Sequence, residues 1–212
     1  MSIATMTRAG AVGALAMLCS FAVPASVPAL AAPTVGEPAP EFTAIDSQGQ
    51  SRSLTDFRGK TVVLEWTNHD CPYVRKHYET GNMQALQKDA TADGVVWLSV
   101  ISSPPGEQGH VEAAEADRLT GSRNAAPTAV LLDPDSKVAR AYAARVTPHM
   151  FVIDGQGTLR FMGGIDDKPT SRHSSVEGAR NYVRLALADL AAGRDVQEAT
   201  TRPYGCAVKY AE

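Results

Sequence analysis

The strongest constraint on the fold is the alternation of strand and helix patterns through the middle of the chain. Short β-branched and apolar runs predict buried strands, and longer segments with helical spacing of apolar residues separate them. The predicted strands are 61–66, 94–101 and 128–132, and the predicted helices are 71–90, 111–119 and 136–144. This alternation predicts a sheet with parallel strand pairs and helices on both faces.

Two antiparallel hairpins flank the alternating region. Segments 42–45 and 50–54 predict one hairpin, and segments 150–153 and 158–162 predict another. Residues 176–192 carry apolar residues at helical spacing and predict a last helix. We therefore predict an α/β fold, in which helices flank a central mixed sheet, with an N-terminal hairpin and a C-terminal tail extension.

Residues 1–31 have the pattern of a secretory signal peptide. A single charge at Arg8 is followed by the apolar segment 9–23, and Ala29-Leu30-Ala31 fits the small-residue rule for cleavage. We predict cleavage after Ala31, a periplasmic or secreted protein, and no stable membrane insertion after cleavage. An uncleaved membrane anchor is the alternative.

The rest of the chain predicts one domain with short extensions. Residues 32–41 predict a linker, 42–194 the domain, and 195–212 a tail that carries Cys206. The formal net charge of −3 argues against general nucleic-acid binding, because that function needs a basic surface to displace counterions from phosphates.

Two of the three cysteines, Cys71 and Cys206, follow the predicted cleavage site, in a compartment that permits disulfides. Cys71 lies where strand 61–66 meets a helix, and Pro72 suits the first helical turn. Unpaired N–H groups and the positive end of the helix dipole stabilise a thiolate there. This placement indicates a reactive or disulfide-forming Cys71, and an inert buried cysteine is the alternative.

The Thr147-Pro148 pair directly precedes the second predicted hairpin. An X-Pro bond in such a place is a candidate for the cis form. An ordinary trans proline at the start of a strand agrees equally well with the spacing.

Several segments resemble the redoxin family of the thioredoxin-like superfamily, which includes alkyl hydroperoxide reductase/thiol-specific antioxidant and peroxiredoxin-like proteins. The resemblance is carried by Cys71-Pro72, Thr147-Pro148 and the segments 35–60, 68–74, 165–167 and 205–210. It extends over residues 35–210 and implies a thioredoxin-like fold with thiol-based redox chemistry.

The resemblance also implies roles for single residues. In that family the prolyl bond is cis and faces the active cysteine, so Pro148 is expected to contact Cys71 as a positioning element. Thr147 is expected to offer backbone groups to a mixed-disulfide partner, and His149 to line the same pocket. Further candidates for the substrate pocket are Asn68, His69 and Pro72.

The sequence departs from the family in its dithiol motif. A C-x-x-C pair is absent, because Val74 and Asn68 occupy the positions three residues after and before Cys71. A redox cycle must therefore use Cys206 or an outside thiol.

The sequence also departs from the usual peroxidatic motif. Such sites place a threonine three residues before the cysteine, where this chain has Asn68, with Thr67 one position earlier. Arg75 or Arg145 would have to supply the positive charge. Thiol–disulfide exchange and peroxiredoxin-like antioxidant activity both remain open, as does the oligomeric state.

We expect Cys71 to attack a disulfide or hydroperoxide and Cys206 to resolve the product. Electrons would arrive through a thiol reductant, so no organic cofactor is predicted. One alternative is a Cys206 that is free or pairs between chains. Another is a non-catalytic binding or scaffold module with a structural Cys71–Cys206 disulfide.

A soft metal site is a weaker alternative. Its ligands would be His69, Cys71, His77 and His149. The helix turns His77 away from its start, where Cys71 lies, so no metal is predicted.

Overall fold

The computed structural model describes Met1 and residues 32–212. The signal peptide predicted for residues 1–31 lies, apart from Met1, outside the described residues. Within the described part of the chain, no helix has the length and apolar character needed to cross a membrane.

The strands of the described residues form one large sheet and one small sheet. Their bounds are β1 (Thr43–Asp46), β2 (Ser51–Ser53), β3 (Val62–Trp66), β4 (Val96–Ile101), β5 (Ala129–Leu132), β6 (Val146–Thr147), β7 (His149–Ile153), β8 (Leu159–Gly163) and β9 (Cys206–Ala207). The large sheet has the order β2-β1-β5-β4-β3-β7-β8, and β6 pairs with β9. The β3–β4 and β4–β5 pairs are parallel, whereas β1–β2 and β7–β8 are antiparallel. The predicted mixed sheet and both predicted hairpins are therefore confirmed.

The helices of the same region depart from the prediction by a few residues at several ends and more strongly in two places. Their bounds are α1 (Pro72–Glu79), α2 (Asn82–Ala92), α3 (Ala113–Ser122), α4 (Lys137–Ala141) and α5 (Tyr182–Ala191). The prediction of one helix over 71–90 is wrong, because Gly81 has a φ of 75° and separates α1 from α2. The last helix begins later than predicted, since the Asn181 side chain caps it by accepting a hydrogen bond from the backbone N–H of Arg184 over 2.9 Å.

Side chains of the central strands alternate between the two faces of the sheet. On one face, which we call the aromatic face, Trp66, Tyr142 and Phe151 pack together with ring centroids 5.2 to 5.5 Å apart. On the other face, Met150 packs with Cys71 and with residues of α1, α2 and α5. The core thus has two layers, and Cys71 belongs to the layer under α1.

The two segments that were expected to extend from the domain both pack onto it. The backbone N–H of Gly36 donates to the carbonyl oxygen of Leu159 over 2.8 Å. The tail passes along β8, contributes β9 and ends beside α4, where the Tyr210 hydroxyl donates to the carbonyl oxygen of Ala144 over 2.6 Å. This course carries Cys206 across the face of the domain on which Cys71 lies.

Candidate functional site

Cys71 lies at the junction between β3 and α1. It is the N-cap residue of α1, and Pro72 is the first helical residue, so the predicted strand-to-helix placement is confirmed. The Cys71 side chain is 0% exposed. Its thiol donates a hydrogen bond to the carbonyl oxygen of Thr147 over 3.1 Å. The sulfur therefore faces β6.

The Thr147–Pro148 peptide bond is cis, as the resemblance implied. Both residues are buried. Because the Thr147 carbonyl accepts the hydrogen bond from Cys71, this peptide lies against the active-cysteine candidate. Cys71-Pro72 and Thr147-Pro148, which are far apart in the sequence, meet in space.

Cys206 lies in β9, directly opposite Thr147 in the antiparallel β6–β9 pair. It is half-buried and packs against the hydrophobic cluster that contains Cys71. Burial, followed by a hydrogen bond with Cys71 and the charge of that group, raises the pKa of the Cys206 thiol to about 12, with Lys209 acting in the opposite direction. Both described cysteines are free thiols. The fold thus brings the tail thiol beside Cys71.

Gly205 allows the tail to approach β6 this closely. A Cβ atom at Gly205 would lie 1.9 Å from the carbonyl oxygen of Thr147, and the residue has a φ of 148°, where side chains are strained. Only a glycine therefore fits immediately before Cys206.

Asn68 and His69, two of the pocket candidates, lie in the loop that precedes α1, and Asn68 also joins this loop to the one between β4 and α3. The Asn68 amide donates to the carbonyl oxygen of Gln108 over 3.2 Å and accepts from the backbone N–H of Asp70 over 2.9 Å. The His69 ring lies 3.4 Å from the carboxylate of Asp70. These contacts give both side chains a role in shaping the loop.

The structure places His149 on the aromatic face, opposite the layer that contains Cys71. In the β3–β7 pair it is the partner of Trp66, and its ring centroid lies 4.4 Å from that of Phe151. The expectation that His149 lines the Cys71 pocket is therefore wrong. Alternation along β7 turns Met150 toward α1 and His149 away from it.

His149 instead lines a cavity of about 370 Å³ together with Arg145, Thr201 and Tyr210. Its Nδ1 atom accepts a hydrogen bond from the backbone N–H of Arg145 over 3.3 Å. Burial, and secondarily the charge of Arg145, lowers the pKa of His149 to about 3. The imidazole is therefore neutral at physiological pH.

The two arginines that the sequence offers for binding a peroxide are engaged elsewhere. The Arg75 guanidinium pairs with Glu79 over 2.8 Å on the exposed side of α1. Arg145 lines the cavity of His149. The geometry around Cys71 therefore departs from the peroxidatic pattern in the same places as the sequence.

The residues weighed as metal ligands lie apart. His77 contacts Asn82 and Tyr204, His69 contacts Asp70, and His149 lies on the aromatic face. Among residues 32–212, no group of three or more His, Cys, Asp or Glu side chains is arranged to hold a metal ion.

A buried carboxylate beneath α1 was missed by the reasoning from sequence. Glu65 in β3 is 0% exposed. It accepts hydrogen bonds of 2.8 to 3.1 Å from Tyr78, Gln87, Trp97 and Ser99. Burial raises the pKa of Glu65, and the four donors oppose that shift. The available signal was a single charge within an otherwise apolar strand.

The profile of the AhpC/TSA family matches residues 35–162, which are more than half of the chain. The chain belongs to the AhpC/TSA family. The AhpC/TSA region contains both Cys71 and the Thr147–Pro148 bond, whereas Cys206 lies beyond the matched residues. The predicted family is therefore confirmed, and the tail thiol lies outside the match.

Two relatives are similar to most of this AhpC/TSA protein. Peroxiredoxin tpx1 of Schizosaccharomyces pombe is 26% identical over 147 residues, which are 65% of this chain and 74% of that protein. Thiol-disulfide oxidoreductase ResA of Geobacillus thermodenitrificans is 28% identical over 133 residues, which are 59% of this chain and 67% of that protein.

A solved structure agrees with most of the chain in fold. The crystal structure of an uncharacterized conserved protein from Geobacillus kaustophilus superposes with a TM-score of 0.73 at 23% identity, covering 84% of this chain and 93% of that one. The fold of this AhpC/TSA protein is thioredoxin-like, as predicted.

Proposed function

We propose that this AhpC/TSA protein is a thiol–disulfide oxidoreductase that works through Cys71 and Cys206. The observation that carries the proposal is that Cys206 lies opposite Thr147, while the thiol of Cys71 donates to the carbonyl oxygen of that same residue. The two thiols replace the missing C-x-x-C pair. The name of the relative ResA supports the same reaction class.

The proposed reaction has two exchange steps. The Cys71 thiolate attacks one sulfur of an external disulfide, which forms a mixed disulfide on Cys71 and releases the first substrate thiol with a proton. Cys206 then loses its proton and attacks the Cys71 sulfur, which closes the Cys71–Cys206 disulfide and releases the second substrate thiol. Two electrons and two protons pass to the substrate, and an external thiol reductant returns them.

The order of attack follows from the surroundings of the two sulfurs. Cys71 is the N-cap residue of α1, and its thiol faces the cis peptide of Thr147–Pro148. The pKa of Cys206, raised to about 12 chiefly by burial and next by Cys71, keeps that thiol protonated at neutral pH while Cys71 is a free thiol. Cys71 is therefore the first nucleophile and Cys206 the resolving thiol.

Hydroperoxide reduction, the activity named by the relative Peroxiredoxin tpx1, has weaker support from the geometry. The Asn68 amide donates to the carbonyl oxygen of Gln108, and the Arg75 guanidinium is paired with Glu79. A disulfide is therefore the preferred substrate.

The proposed site of action is the periplasm or the cell exterior. The support is the signal-peptide pattern of residues 1–31, which would deliver the chain to a compartment where a dithiol can meet disulfides.

A structural Cys71–Cys206 disulfide is the second candidate, and the complete burial of Cys71 favours it. In that case the protein would be a non-catalytic module, and the bond would fasten the tail. The reduction potential separates the two functions. A working pair lies near the thioredoxin value of about −270 mV, whereas structural bonds lie below about −300 mV.

The test measures both the equilibrium and the turnover. The mature chain is equilibrated in glutathione buffers, and the fraction of Cys71–Cys206 disulfide is read by alkylation and mass spectrometry. Reduction of a protein disulfide with dithiothreitol is expected to be lost in Cys71→Ser, whereas Cys206→Ser is expected to accumulate a mixed disulfide on Cys71. Undiminished turnover in Cys71→Ser would contradict the proposal.

A further inference from the structure

A buried polar cluster joins the helix that carries Cys71 to the tail that carries Cys206. Lys76 lies in α1, and Tyr204 lies two residues before Cys206. The two side chains meet each other and Asp166, and both Lys76 and Asp166 are almost completely buried. The cluster therefore links the helix that begins after Cys71 to the segment that carries Cys206.

The hydroxyl of Tyr204 makes every hydrogen bond that it can make. It accepts one from Lys76 Nζ over 3.1 Å and donates one to the carboxylate of Asp166. The Asn82 amide donates to Nδ1 of His77 over 2.8 Å, so the proton of His77 is on Nε2, which lies 3.3 Å from the Tyr204 oxygen. One donor and two acceptor positions exhaust the capacity of a phenolic hydroxyl.

The hydroxyl also bridges two opposite charges. Lys76 Nζ lies 3.7 Å from Asp166 Oδ2, and both groups are shielded from water. Burial, and secondarily the charge of Lys76, lowers the pKa of His77 to about 3, so that ring is neutral. Hydrogen bonds to charged groups are stronger than those between neutral groups, so the Tyr204 hydroxyl attaches this part of the tail strongly to the domain.

The attached segment occupies the hydrogen-bonding edge of β6. In the β6–β9 pair, Val146 is opposite Ala207 and Thr147 is opposite Cys206. An extended peptide that brings its own cysteine to Cys71 would need the same edge, as in recognition by strand addition. Cys71 is 0% exposed, and Tyr204 and Cys206 of this segment pack against its hydrophobic cluster, so such a peptide must replace the segment.

We propose that residues 204–207 act as a built-in substrate strand, which covers Cys71 and is held in place by Tyr204. This proposal rests on the proposed function, because it explains how an external disulfide gains access to Cys71. The substrate reaches the sulfur when the strand leaves β6. Tyr204 is a positioning residue, and its hydroxyl sets the fraction of molecules in which the strand has left β6.

The experiment measures uncovering of Cys71 without any redox step. In a Cys206→Ser background, Cys71 is the single cysteine after the predicted cleavage site, so its rate of reaction with iodoacetamide reports the uncovered fraction. Tyr204→Phe keeps the ring, which packs at 5.8 Å from that of Tyr73, and removes the hydroxyl. The rate is expected to rise about tenfold or more, since bonds to charged groups are lost.

Tyr73→Phe in the same background is the matched control. It also removes a tyrosine hydroxyl beside the tail, but that hydroxyl makes no hydrogen bond to any described residue, so the rate is expected to stay at the background value. A loss of stability alone would lower the melting midpoint without raising alkylation far below that temperature. A Tyr204→Phe rate equal to the background rate overturns the proposal.

Gly205→Ala gives an independent test that leaves the buried cluster intact. Its Cβ would meet the Thr147 carbonyl oxygen at 1.9 Å, which forces β9 off β6 and is expected to raise the alkylation rate. An alkylation rate of Cys71 in Gly205→Ala equal to that of the Cys206→Ser background also overturns the proposal. Failure of Cys71 and Cys206 to form a disulfide in the unmodified chain would end the proposed function, and the alkylation result would be unaffected.

Discussion

Cys206 is the antiparallel partner of Thr147, and this register decides where the tail thiol lies. A slip of one residue would put Ala207 opposite Thr147 and turn the Cys206 side chain to the other side of the strand. Such a slip would also move Cys206 into the place of Gly205. Any residue with a Cβ atom there would collide with the Thr147 carbonyl, so the slip is opposed. A two-residue strand is thus sufficient to aim Cys206 at Cys71.

Removing Cys71 is expected to make Cys206 more reactive. Its thiol has a pKa of about 12 because of burial and, next, the hydrogen bond and charge of Cys71. In Cys71→Ala the contribution of burial remains, whereas the hydrogen bond and the charge of Cys71 are lost. The pKa of Cys206 therefore falls, and its alkylation at pH 9 becomes faster. Lys209→Met is the matched opposite change, because Lys209 lowers the Cys206 pKa. Equal rates of Cys206 alkylation in Cys71→Ala and the parent chain would show that Cys71 does not raise the pKa of Cys206.

The free energy of unfolding is expected to fall as the pH falls from about 6.5 toward 3. The pKa values of His77 and His149 are about 3 in the folded chain, against about 6.5 in an unfolded one. In that window the unfolded chain binds protons that the folded chain does not, so acid favours unfolding. Each histidine contributes a slope of up to about 1.4 kcal/mol per pH unit.

Urea unfolding between pH 7 and pH 4 measures this slope. His149→Gln is expected to remove the contribution of one histidine. His173→Gln is the control, because its side chain is 54% exposed at the surface. An unchanged slope in His149→Gln would show that the buried ring is not responsible.

Replacing Glu65 by glutamine is expected to destabilise the protein by about 2–4 kcal/mol. The amide nitrogen would face N–H or O–H donors and leave at least one of them unpaired in the core. Glu41→Gln is the matched control: the Glu41 side chain is 50% exposed and pairs with Arg58 over 2.7 Å, so its loss costs less than about 1 kcal/mol. Chemical denaturation compares the two, and equal losses would contradict the role of Glu65.

Phe151→Ala is expected to cost about 3–5 kcal/mol. The ring is 0% exposed and contacts the rings of Trp66, Tyr142 and His149, so its removal leaves a cavity in the aromatic face. Leu185→Ala, at a position 40% exposed on α5, serves as the control and is expected to cost far less. Comparable losses in the two variants would argue against close packing around Phe151.

Most of the fold was predictable because its signals are local. The strand patterns of 61–66, 94–101 and 128–132 and the two hairpins each depend on neighbouring residues. The helix over 71–90 failed at Gly81, whose backbone conformation decides between a continuous helix and a break. The spacing of apolar residues alone does not predict the backbone conformation of that glycine.

The site was predictable only in part. Cys71 follows from its position at the start of a helix, and the place of Pro148 beside it follows from the resemblance to the redoxin family. Cys206, in contrast, lies in a tail without a periodic pattern and pairs through a strand of two residues. The contact between Lys76 and Tyr204 joins segments that are distant in the sequence. His149 was assigned to the wrong face because proximity in sequence to Pro148 was taken as proximity in space.

Cys71 and Cys206, whose thiols lie near Thr147, are separated along the sequence by most of the domain. Folding holds Cys71 and Cys206 together, and an unfolded chain would bring them together only by rare encounter. Thermodynamic linkage then requires that folding favours their disulfide by the same factor by which the disulfide favours folding. Denaturant should therefore make the pair easier to reduce, and a reductant should lower the denaturant concentration at which the oxidised protein unfolds.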